Sequence, residues 1–172
     1  MTITNRQGED RAYWEMLVDL LSRQTIADIM RNEQIAARCN ETIELNKAYE
    51  TVLLENTIIE DQVAITDLRR FDHVPSGNRF LVYTLFPQAV VQVKVREDES
   101  NPGLMAVSVG HSIINRNCNV NVGLLLSKFN GGGHRGAGAC RFPIAKTDQY
   151  LPQIIDVLKK NQSNEPAKEH AE

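Results

Sequence analysis

The sequence predicts an α/β domain with a mixed sheet of about five short strands flanked by helices, preceded by an N-terminal helical arm. Three observations carry that expectation. Apolar residues recur at helical spacing through the first third of the chain, β-branched residues take over near residue 56, and hairpin-like strand pairs then alternate with helical segments.

Residues 11–22 place Tyr13, Leu17, Leu20 and Leu21 at helical spacing, with Trp14 widening the apolar face. A short helix over 24–30 and a longer one over 34–54, carrying Ile35, Cys39 and Ile43, complete the arm. Residues 57–59 and 63–66 then read as a hairpin around the charged turn 60–62. Val74-Pro75-Ser76-Gly77 is turn chemistry, with Ser76 placed to cap a helix over 78–86 that Pro87 stops. Val91, Val93 and Val95 alternate with Gln92, Lys94 and Arg96, and Ser100-Asn101-Pro102-Gly103 turns that strand into a partner over 104–109. A helix over 120–129, a glycine-rich loop, a last strand over 137–142 and a helix over 148–160 with Asp148 near its N-cap close the fold. The expected division is a helical arm over 1–54, a binding domain over 55–161 and a flexible, polar tail over 162–172.

A chain of 172 residues with 42% apolar content can bury one ordinary core. No apolar run approaches the roughly 20 residues that cross a bilayer, and residues 1–10 are polar instead of signal-like. A cytoplasmic protein without a membrane partner is therefore expected. Cys39, Cys118 and Cys140 are widely separated and form no CxxC pair, which fits neither a disulfide framework nor a zinc site.

The net charge of −3 conceals an asymmetry. Residues 100–147 contain no Asp or Glu but carry Arg116, Lys128, Arg135, Arg141 and Lys146, so this window is +5 and the remainder −8. Confined positive potential suits a local anion site better than a surface that coats a duplex. Within that window lies Gly131-Gly132-Gly133-His134-Arg135. Three consecutive glycines remove every Cβ, so successive N–H groups could converge on an anion, with His134 and Arg135 as charged donors. A flexible connector after a helix C-cap would carry the same glycines.

The run FNGGGHRGAGAC at 129–140 resembles the GGGH signature that ends DHH-family phosphoesterases of the nano-RNase and exopolyphosphatase-related type, in their DHH-associated (DHHA) domain. The likeness continues upstream through VSVGHSIINRNCNVNVGLLLSKF at 107–129 and extends over 55–160. It implies that His111, Ser112, Asn115, Arg116 and Asn121 face the glycine segment and, with Gly131, Gly132, Gly133, His134 and Arg135, hold phosphate. The same asparagines could equally shape the loop, and Arg116 could be solvated. The sequence departs from the family where many members have Arg-Ser in place of His111-Ser112, and Ala-Ala-Gly in place of Ala137-Gly138-Ala139.

In such enzymes a separate Asp-His-His domain binds manganese and hydrolyses the substrate. Here Asp72-His73 is the sole Asp-His pair, is followed by Val74 and lacks further aspartates around it. The resemblance thus implies a clamp without catalytic residues or cofactor of its own, with Mn2+ belonging to a DHH catalytic domain supplied in cis or trans. The implied ligand is a nucleotide or short single-stranded nucleic acid, drawn from short oligonucleotides, nucleoside bisphosphates, cyclic dinucleotides or polyphosphate, and a homodimer is allowed. Two other readings remain open at this point: a free-standing nucleic-acid-binding module, and a small enzyme using His111 and His134 as acid and base.

Overall fold

The computed structural model describes residues 10–74 and 77–166. The expected cap at Ser76, His170 and the tail beyond residue 166 lie outside the described residues. The chain divides into two units, one of residues 1–50 with 75–78 and one of residues 51–74 with 79–172.

The first unit is built on helices α1 (Asp10–Arg23), α2 (Ile26–Ile29) and the larger part of α3 (Glu33–Asn56). Thr25 caps α2 by accepting a hydrogen bond from the Asp28 amide. Tyr13, Ile29 and Ile35 form its small core, against which Trp14, Leu17, Leu20 and Cys39 pack. The Arg38 guanidinium lies 3.8 Å from the centre of the Tyr13 ring. Gly77 passes so close to Tyr49 that a Cβ would sit 2.4 Å from that side chain.

The second unit contains a six-stranded mixed sheet in the order β1-β2-β3-β4-β6-β5. Its strands are β1 (Thr57–Glu60), β2 (Val63–Asp67), β3 (Val91–Glu97), β4 (Leu104–His111), β5 (Gly131–His134) and β6 (Ala137–Pro143). Only the β2/β3 pair is parallel. That pair needs a crossover, which α4 (Leu81–Leu85) provides. The α/β class and mixed sheet are as the sequence predicts, but six strands replace about five. The additional strand is the glycine segment itself.

Valines at alternate positions of β3 and β4 point to one face, where Val63, Val91, Val93, Val95, Met105, Val107, Cys140 and Phe142 are buried. This face is covered by α5 (Val122–Leu126) through Val122, Leu125 and Leu126, and by α6 (Thr147–Lys160) through Ile154 and Leu158. Tyr150 joins the two helices over the sheet, with its ring 5.3 Å from both Phe129 and Phe142 in edge-on geometry.

Several boundaries shift for identifiable reasons. The expected helix over 78–86 contracts to α4, whose N-cap is Phe80 without a side-chain cap. The helix expected over 120–129 is α5 followed by a tight 3-10 turn at Ser127–Phe129, and Asn130 ends it in the left-handed conformation at φ 56°. The last helix starts at Thr147, with Lys146 and not Asp148 at its cap. No helix among the described residues is long and apolar enough to cross a membrane.

Candidate functional site

The glycine segment is a β-hairpin. β5 pairs antiparallel with β6 from Gly131↔Cys140 to His134↔Ala137, leaving Arg135-Gly136 as a two-residue turn. Extended backbone points successive N–H groups in opposite directions, so the expected convergent nest does not form. The reason lies in what packs against the glycines. A Cβ on Gly131 would lie 2.3 Å from the Ala139 oxygen, one on Gly133 2.3 Å from the Ala137 oxygen, and one on Gly138 2.4 Å from the Gly132 oxygen. Gly123 of α5 seats against the same strand, its absent Cβ 2.5 Å from the Gly133 oxygen. These four glycines let a helix and two strands meet at backbone distance.

Gly132 differs. A Cβ there would meet nothing within 4 Å, so the strand presents bare backbone to open space at this one position. Beside it, His134 follows on the same side of β5 by strand alternation and is exposed.

The turn is anchored on both sides. The His111 amide donates to the Gly136 carbonyl at 2.8 Å and the Val122 amide to the Arg135 carbonyl at 2.9 Å. Arg135 forms an ion pair with Glu165, which also accepts a 2.9 Å hydrogen bond from the Asn121 side-chain amide. Asn121 also caps α5 by accepting from the Leu124 amide, which fixes its orientation. Asn164 clasps the Asn121 backbone from both sides, accepting from its N–H at 2.7 Å and donating to its carbonyl at 3.1 Å. Asn161 binds the 117–119 backbone in the same manner. Residues 162–165, expected as the start of a flexible tail, are instead held with Asn161 against the 117–121 loop by these bonds.

The other expected ligands are deployed as follows. Ser112 is buried, and its hydroxyl accepts from the Ile114 and Asn115 amides in a tight turn. The Asn115 side chain donates to the Gln88 carbonyl and accepts from Asn117. Arg116 is exposed, and its Nε donates to the Ile113 carbonyl of its own loop.

His111 Nε2 lies 2.9 Å from the Val120 carbonyl, which only a protonated Nε2 can satisfy. Burial pushes the His111 pKa below the ordinary histidine value; the Val120 hydrogen bond opposes this and the Arg135 charge adds to it. The folded state therefore favours neutral His111, so its contribution to stability is full above the unfolded pKa of about 6.5 and is lost as pH falls through the lower folded value. Urea titrations at pH 7.5 and 5.5 should show a loss of stability that is smaller in His111→Gln. His111 pairs with Val91 on the core-facing register of β4, whereas His134 is in register with Ala137 and, through it, Gly110. The two histidines lie on opposite faces of the sheet and do not form an acid–base pair.

Among the described residues no three His, Cys, Asp or Glu side chains come together to hold a metal ion. Asp72 and His73 are both exposed. The described residues do not supply the ligand set of a two-metal centre. Cys118 and Cys140 are buried free thiols, and burial raises the Cys140 pKa to about 11.

The sequence matches no protein-family model and no curated protein. Its fold does match solved structures. A pGpG-specific phosphodiesterase, PggH from Vibrio cholerae, superposes with a TM-score of 0.85 at 22% identity, covering 92% of this chain and 53% of that one. An exopolyphosphatase-related protein from Bacteroides fragilis superposes with a TM-score of 0.54 at 18% identity, covering 87% of this chain and 44% of that one. These structural neighbours are DHH-family members, in keeping with the motif at 129–140. At such identities the likeness is one of fold alone, and the chain spans about half the length of the structures it matches.

Proposed function

We propose that this chain is the substrate-holding part of a DHH-type phosphoesterase acting on short oligonucleotides, nucleoside bisphosphates or related phosphoesters, and that by itself it binds without hydrolysing. One observation carries the reading. At the hairpin tip Arg135 and Asn121 together grip a carboxylate, that of Glu165, in the region where the DHH-type motif implies a phosphate. A guanidinium fork and an amide donor that hold two carboxylate oxygens are equally suited to two phosphate oxygens. Gly132 supplies clear backbone and His134 a further donor. The first ligand to test is pGpG, the substrate named for the Vibrio cholerae neighbour.

Calorimetric titration of the full chain with pGpG tests the reading. Saturable binding that weakens in His134→Ala supports it, and absence of binding by the wild type contradicts it. Incubation with manganese and a bis-nitrophenyl phosphate reporter should give no turnover by this chain alone; turnover by the purified chain would contradict the binding-only part. Glu165 competes for the same donors, so Glu165→Gln should bind pGpG several-fold more tightly, and unchanged affinity would separate the carboxylate from the ligand site.

A further inference from the structure

The helical layer over the core face of the sheet stops at α6. Beyond it β1 forms the edge, where Ile58 is 59% exposed although its register partner Ile65 on β2 is buried. Between β1 and α6 runs an open groove of about 910 Å³. One wall is the stripe Thr147, Leu151 and Ile155, spaced four residues apart on α6 and so stacked along one face of the helix. The floor is Ile58, Ile65 and Met105. The stripe is roughly 12 Å long. Past Ile155, Lys159 closes that end with a 3.0 Å ion pair to Glu60 of β1.

The groove is acidic. Five carboxylates and two arginines line it, which leaves it at −3. Both arginines are already engaged, Arg69 by a 2.9 Å hydrogen bond to Asp67 and Arg70 by a 3.6 Å ion pair with Glu55. Glu97 and Asp148, at the end away from Lys159, are exposed and have neither a side-chain hydrogen bond nor an ion pair among the described residues, although the Asp148 charge acts on Arg69. At the same end Thr147 is 4% exposed, and its hydroxyl is the one buried side-chain polar atom without a partner among the described residues. A buried hydroxyl left unpaired is costly, which marks this end of the groove as incomplete.

We propose that this groove docks an amphipathic helix of a partner protein. The apolar stripe of that helix lies against Ile58, Leu151 and Ile155, and a lysine or arginine beside the stripe is received by Asp148, Glu97 and the Thr147 hydroxyl. Charge complementarity selects this occupant: a second copy of the chain would set the same acidic lining against itself, and a phosphorylated ligand would be repelled. Shape agrees with it, because a helix about 10 Å across fits one interaxial spacing from α6 and extends the layer that α5 and α6 begin. The surface lies at the opposite edge of the sheet from the β5/β6 tip and does not depend on the reading of that tip.

Fluorescence anisotropy of labelled peptides of about three helical turns, titrated with the full chain, tests the proposal. The probes are a leucine–lysine peptide with its leucines in one helical stripe, the same residues in scrambled order, and the striped peptide with glutamate in place of every lysine. The striped lysine peptide should bind saturably and about tenfold more tightly than either control. Ile58→Lys should lower that affinity about tenfold, and Glu97→Lys with Asp148→Lys should transfer the preference to the glutamate peptide. Ile58 is exposed on an edge strand, where lysine is well tolerated, so this variant decides the matter if the double one does not fold. Equal affinity for striped and scrambled peptides overturns the proposal, as does binding that Ile58→Lys leaves unchanged. A bound peptide without helical circular dichroism would also overturn it, in favour of a strand added to β1. Sedimentation of the chain alone as a dimer that Ile58→Lys breaks would overturn it in favour of a second copy.

Discussion

Gly133→Ala should destabilise the second unit by about 4 kcal/mol, whereas Gly132→Ala, one residue away, should leave stability unchanged or raise it by about 0.5 kcal/mol. At Gly133 the backbone is at φ 150°, which side chains rarely adopt, and the added methyl would meet the Ala137 oxygen at 2.3 Å and the Gly138 Cα at 2.4 Å. Both obstacles are main chain of a paired strand, so neither can yield cheaply. The strain of that conformation and the overpacking each cost about 1–3 kcal/mol. Gly132 has neither obstacle, and alanine there only reduces the freedom of the unfolded chain. Urea denaturation of the two variants measures the difference. Equal stability would mean that the hairpin does not pack as described, while weaker pGpG binding by the stable Gly132→Ala would mark the one glycine kept clear for a ligand.

Arg135→Ala should weaken pGpG binding by about 10- to 100-fold, the loss of charge-assisted hydrogen bonds worth about 1.5–3 kcal/mol. Its cost in stability should stay below about 1 kcal/mol, because the ion pair with Glu165 is half exposed, 50% and 39% for the two side chains, and such pairs are strongly screened. The separation between these effects distinguishes a ligand-holding arginine from a structural one. Arg135→Lys should recover only part of the affinity, since an ammonium keeps the charge and loses the planar fork. Calorimetry at fixed salt reads both variants. Full affinity in Arg135→Ala would remove this residue from the site.

Much of the sheet is legible in the sequence because its signals are local. The alternation of Val91, Val93 and Val95 with polar neighbours specifies β3, and the turn at 100–103 specifies its pairing with β4. The glycine segment is read as a loop because glycine is a poor strand former. It is a strand because Gly123 comes from elsewhere in the chain to sit on Gly133, a contact that only tertiary packing creates. A weak signal existed: Arg135-Gly136 lies midway between two stretches of small residues, as a two-residue hairpin turn would. Ser112 and Asn115 carry the chemistry of ligands, but the sequence cannot tell that their polar atoms close a turn and reach the Gln88 carbonyl. The grip of Asn121 and Arg135 on Glu165 joins residues 44 positions apart in the first case and lies beyond any periodicity argument.

Phosphate held at the β5/β6 tip should be visible in amide NMR of the full chain titrated with pGpG. The largest shifts are expected at Gly132, His134 and Arg135 and at the side-chain amide of Asn121, saturating together, with Glu165 released from Arg135. Saturable shifts confined to other parts of the chain, or none at all at millimolar ligand, would contradict it.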